Sequence, residues 1–179
     1  MFFKTEDECR EIISILGFRE QSLFKEDDDG DKTRKSMRVV FEDKGIPSVV
    51  LARHIVSWLG PHPSRLLWIT EFGVWPSLEN LHLYYKFRNT YGDYRELIKV
   101  PGQHFLSYES EDLTSFLDLA IHFRWGAYVL TSPGFTNVEI SHDGWMLIEY
   151  EDNEIQILKD IQSLELDIVG EPLMGMDGN

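Results

Sequence analysis

Between Ser110 and Tyr150 the apolar pattern changes period, and that change restricts the fold more than any other feature of the chain. Leu113, Phe116, Leu117, Ala120 and Ile121 recur at the 3.6-residue interval of a helix with one buried face, and Gly126 closes it. Three short strand candidates follow, Tyr128 to Thr131, Val138 to Ser141 and Trp145 to Tyr150, joined by Pro133-Gly134 and Asp143-Gly144. The first joint suits a type II turn and the second a two-residue type I′ hairpin. Strands joined so tightly run antiparallel. A two-residue turn sets Ile140 opposite Leu147 and places Val138, Ile140, Trp145 and Leu147 on one face.

The remaining segments extend this picture. Thr5 and Glu8 have capping-box spacing ahead of a helix carrying Cys9, Ile12, Ile13 and Leu16. Phe18 to Phe24 and Met37 to Phe41 read as two strands around a charged tip at Glu26 to Asp31. Pro47 opens a second helix with Ala52, Ile55, Val56 and Leu59 on its stripe, ended by Gly60-Pro61. Leu66 to Phe72 is a well-buried strand, and Ser77 caps a third helix bearing Leu78, Leu81, Tyr84 and Tyr85. From Tyr94 to Tyr108 only a turn at Lys99 to Gly102 is readable. Asp152 is placed to cap a last helix with Ile155, Leu158 and Ile161. The expected fold is a single compact α+β domain over residues 1–169, with a mainly antiparallel sheet and four to five helices, followed by a flexible C-terminal tail at 170–179. At 179 residues and 42% apolar content, one core suffices.

Charge narrows the partners. The net charge is −14, and residues 105–179 hold fifteen Asp and Glu against only Arg124 and Lys159. Such a field repels nucleic acid and anionic lipid and attracts a basic protein. A single cysteine, Cys9, rules out an intramolecular disulfide and a thiolate metal cage. The N-terminus turns acidic at once, unlike a signal peptide, and no apolar run reaches the ~18 residues of a membrane span. These features predict a soluble cytoplasmic protein.

Motifs for chemistry are weak. The six histidines include no pair at i, i+3 or i, i+4 spacing, so no helical metal site is expected. Counted from Asp27, the acidic run places Lys32 and Arg38 where a calcium loop needs Gly and Glu. There is no phosphate-binding glycine loop, and Ser132-Pro133-Gly134 lacks the flanking glycines of a nucleophile elbow. No cofactor is implied. His142 beside Asp143 resembles a base with its carboxylate, yet Asp143 is already explained by the turn. In the middle third, aromatic rings from Trp58 to Tyr94 are interleaved with Arg53, Arg65, Lys86, Arg88 and Arg95. Core packing explains most of these rings, while the rest suit a binding surface or a self-association face anchored by Trp75 and Arg88.

Two function classes remain. The first is a non-catalytic interaction module, of the inhibitor or immunity type, whose acidic C-terminal surface at Glu149, Glu151, Asp152 and Glu154 docks a basic partner protein. The second is a small enzyme or ligand-binding protein with a pocket assembled from His104, His122, Arg124 and His142. Two of these histidines in one pocket with a carboxylate in reach would favour the second.

Overall fold

Alternation along each strand divides the apolar residues between two faces, and the chain satisfies both with one sheet. The computed structural model describes residues 1–18, 23, 35–72, 78–133, 135–150 and 154–169. The strands are β1 (Phe2–Lys4), β2 (Lys35–Val40), β3 (Ser64–Glu71), β4 (Gly102–Leu106), β5 (Gly126–Leu130), β6 (Asn137–Ile140), β7 (Trp145–Tyr150) and β8 (Asp167–Val169). They lie in the order β1-β4-β3-β5-β6-β7-β2-β8, and every pairing is antiparallel. The helices are α1 (Glu6–Ile15), α2 (Ser48–Leu59), α3 (Leu78–Asn89), α4 (Ser110–His122) and α5 (Glu154–Ser163). The fold is thus a single compact α+β arrangement with five helices among the described residues.

On one face, Leu67, Ile69, Ala127, Val129, Val138, Ile140, Met146 and Ile148 join the main core with residues of α2, α4 and α5. Each Leu, Ile, Val or Met among them contributes about 1.5–3 kcal/mol when taken from water. Phe116 on α4 is a hub there, with its ring against Phe3, Tyr84 and Phe105. On the other face, Leu66, Trp68, Leu130 and Leu147 pack with Cys9 and Ile13 of α1. The Thr5 and Glu8 capping box is present and starts α1.

Arg65 fixes the start of α4. It is buried, and its guanidinium donates to the carbonyls of Leu106 and Ser107 and to Ser110 Oγ. The carbonyls that turn the chain from β4 into α4 therefore have partners away from water.

The β6–β7 hairpin differs from the sequence expectation by one residue. Ser141 N donates to Trp145 O at 2.9 Å, Gly144 N donates to Ser141 O at 3.2 Å, and Gly144 has φ +79°. This is a three-residue loop, His142 to Gly144, in which a turn is followed by a left-handed glycine that forms a bulge. Ile140 consequently faces Met146, not Leu147. Val138 and Ile140 point into the main core, whereas Trp145 and Leu147 point to the α1 side. A one-residue slip sends every side chain to the opposite face.

The short strands β1 and β8 have no counterpart in the sequence reading, and β4 falls on the flank of the 99–102 turn, which the sequence leaves open as strand or irregular. β2 pairs with β7 and β8. Most of the expected Phe18 to Phe24 strand, the acidic tip, Gly134, the Asp152 cap and the 170–179 tail lie outside the described residues.

At Gly102 the backbone of β4 passes directly beneath α1. An added Cβ would overlap the Cys9 sulfur and come within 3.1 Å of Lys4 Cβ. Gly102→Ala is therefore expected to cost about 1–3 kcal/mol of stability, measured by urea titration. Combining it with Cys9→Ala should recover part of that loss; strictly additive losses would show that the sulfur is not the obstacle.

Candidate functional site

The residues singled out from the sequence do not converge. His104 lies on β4, paired with Leu66 near the start of β3, whereas His142 sits in the β6–β7 loop beyond the other end of β3. His122 is exposed at the end of α4. Arg124, in a left-handed conformation at φ +55°, donates from Nη1 to Glu42 Oε1 at 2.7 Å. Arg88, expected on a surface, is fully buried: its Nη2 donates to Asp93 Oδ1 at 2.6 Å, and its guanidinium lies over the Phe3 ring. Trp75, Glu151 and Asp152 lie outside the described residues. Glu149 is half-buried on β7 opposite Asn137 and Ser36. Burial raises the pKa of Glu139, and the charge of Glu149 adds to that shift. Glu154, the first residue of α5, accepts a bond from Lys35 Nζ at 2.6 Å.

Two of these residues, Arg124 and His142, do meet a common neighbourhood. There β3 ends, β5 begins and the β6–β7 loop turns. His142 Nδ1 is 2.6 Å from Glu71 Oε2, and its Nε2 is 3.2 Å from Asp143 Oδ1. Glu42 N donates to Gly144 O at 3.0 Å, which brings the Arg124 and Glu42 pair against the same loop. Glu71 and Asp143 keep 58% and 67% of their side-chain surface in solvent. Asp43 is exposed beside Glu42. The result is an acidic rim of Glu42, Asp43, Glu71 and Asp143 around one imidazole and one guanidinium. Glu42 and Glu71 carried no signal in the sequence, because only strand register brings them near His142.

The opposite end of the sheet gathers hydroxyls and imidazoles. Ser64 Oγ is 2.7 Å from His104 Nε2. Burial, with Lys4 and the N-terminal ammonium nearby, holds His104 below the usual histidine pKa, so its ring is neutral near pH 7. Glu109 opposes that shift, and it is itself bonded to the N-terminal ammonium. His62 Nδ1 lies 2.7 Å from Ser64 O, and its Nε2 lies 3.0 Å from Ser132 Oγ. These bonds tie the β5–β6 connection to the start of β3.

No family model, no curated protein and no solved structure matches the chain. Among the described residues, no group of His, Cys, Asp and Glu is arranged to hold a metal ion, and no helix is long and apolar enough to cross a membrane.

A third constellation joins two helices. Asp160 on α5 accepts from Trp58 Nε1 at 2.8 Å and from Gln156 Nε2 at 2.9 Å, and its Oδ2 lies 3.3 Å from His54 Nδ1. Burial raises its pKa, but the bonds from Trp58, His54 and Gln156 outweigh that and hold it below the ordinary aspartate value. A depressed carboxylate pKa stabilises the fold above the unfolded value of about 3.9 and loses that contribution as pH falls through the folded one. Asp160→Asn should therefore cost about 1–3 kcal/mol near neutral pH. In chemical denaturation across pH, the gap between the two proteins should narrow below about pH 4; a gap independent of pH would overturn this assignment.

Proposed function

We propose that the protein is a non-catalytic interaction module, of the inhibitor or immunity type, that docks a basic partner protein on an acidic surface. The carrying observation is the rim at the β6–β7 loop, where Glu42, Asp43, Glu71 and Asp143 outnumber Arg124 in a chain of net charge −14. Such a surface steers association and suppresses partners of like charge. The end of β7 is a less favourable centre, since Glu154 is already engaged by Lys35. Cytoplasmic residence belongs to the same proposal and suits the buried, unpaired thiol of Cys9.

The aromatic middle third supports self-association less well. Trp58, Trp68 and Tyr84 are in the core, although Tyr91 and Tyr94 remain exposed.

A second reading, a small hydrolytic or ligand-binding protein, draws on the His62 and Ser132 pair, which has the contact of a base with its hydroxyl. A fluorophosphonate probe that labels Ser132, with labelling lost in His62→Ala, would favour it. An unlabelled Ser132 would remove it.

For the first reading, affinity capture from the native cell should retain a basic protein on the wild-type chain and release it as salt rises. Replacing Glu71 and Asp143 together by Lys should weaken that complex at least tenfold and flatten its salt dependence, measured by titration with the identified partner at several ionic strengths. Unchanged affinity and salt slope in a folded double variant would sink the proposal.

A further inference from the structure

We infer that Arg88 and Tyr84 of α3 together bind a small monovalent anion inside the protein. Both residues lie on the buried stripe of α3, one turn apart, and both have 0% solvent exposure. Arg88 spends only Nη2 on the protein, donating to Asp93 Oδ1 and, at 3.3 Å, to Arg95 O. Its Nε and Nη1 have no hydrogen-bond partner, and neither has the Tyr84 hydroxyl. Burial keeps that hydroxyl protonated, so it remains a donor.

On the strand side, Phe3 of β1 lies under the Arg88 guanidinium at 5.0 Å and pairs across the sheet with Gln103 of β4. Gln103 is also fully buried, and its Oε1 is unpartnered. Three side chains in this one region therefore carry buried polar atoms that the surrounding protein leaves unmatched. Each such atom is destabilising unless something satisfies it.

Unused donor hydrogens on Arg88 Nε and Nη1 and on the Tyr84 hydroxyl outnumber the unpartnered acceptor oxygens, Gln103 Oε1 and Tyr84 Oη, which selects an accepting ligand over a donating one. Charge points the same way. Asp93 divides its carboxylate, with Oδ1 on Arg88 and Oδ2 on Arg95, so the buried guanidinium is only partly neutralised. A single negative charge would complete the balance, and with the Phe3 ring against Arg88 and the Phe116 ring against Tyr84 the proposed occupant is a small ion such as a halide. Entry needs only the local opening of β1, a three-residue strand at the sheet edge.

Bromide is the probe. Crystals of the full chain grown in bromide should show an anomalous peak within hydrogen-bond reach of Arg88 Nη1 and Tyr84 Oη. In solution, the wild-type melting midpoint should rise in bromide relative to an equal ionic strength of a bulky organic anion. Tyr84→Phe should lose most of that rise and be no more stable than wild type in bromide. An adventitious ion only, meaning bromide peaks confined to the surface, would overturn the proposal. So would a water molecule at the position, or a Tyr84→Phe protein that is more stable than wild type in every salt. The crystallographic arm stands whether or not the variant folds.

Discussion

Both faces of β3 are removed from water, and the placement of every other element follows from that. Leu67 and Ile69 lie under the helical layer on one side, while Leu66 and Trp68 lie under α1 on the other. A strand with no wet face can present polar chemistry only at its ends. The hydroxyls and imidazoles accordingly gather near Ser64, and the carboxylates around His142 gather near Glu71. The two ends are joined by a rigid, doubly covered strand, and His104 and His142 cannot share a site across it.

The acidity of the C-terminal part takes a different form in three dimensions from its form in sequence. Several of its carboxylates perform structural tasks. Asp118 accepts from Ser48 and links α4 to α2, Asp160 links α5 to α2, Asp112 accepts from Tyr91, and Asp167 pairs with Lys44. The surplus charge is therefore distributed over several joints, and the concentrated rim owes three of its four members to the earlier part of the chain, at Glu42, Asp43 and Glu71.

Helices were readable because their periodicity extends over several turns: α1 and α2 begin and end close to the positions that their caps and glycines indicate, whereas α4 begins at Ser110 as expected but ends at His122, with Arg124 taking the left-handed conformation and Gly126 already opening β5. Strands were readable where an alternating run had a turn beside it, or, as in β3, where a short apolar run was bounded by prolines. β1 and β8, with three residues each, offer no period to detect. The β6–β7 register was misjudged because Asp-Gly serves both a two-residue turn and a bulged three-residue loop, and the choice depends on which apolar set each core can hold. The candidate site was less accessible still. His142 and Arg124 were visible as chemically able residues, but Glu42 and Glu71 reach them through long-range pairing, including an irregularity between Ile69 and Glu71 where β3 meets β5. In the sequence Arg88 reads as a surface anchor, because an Arg among aromatic residues gives no sign of whether its partner is solvent or a buried aspartate such as Asp93.

The position of β2 has a kinetic side. Met37 pairs with Ile148 and Val39 with Ile168, so this early strand has neighbours only from the last part of the chain. On the ribosome, β2 must wait unpaired until β7 and β8 are made, with Met37 and Val39 still exposed. Non-local closure of this kind slows folding and lengthens the interval in which an open strand can pair with another molecule. The most vulnerable moment for this protein falls in its synthesis, before β7 and β8 arrive to claim their partner.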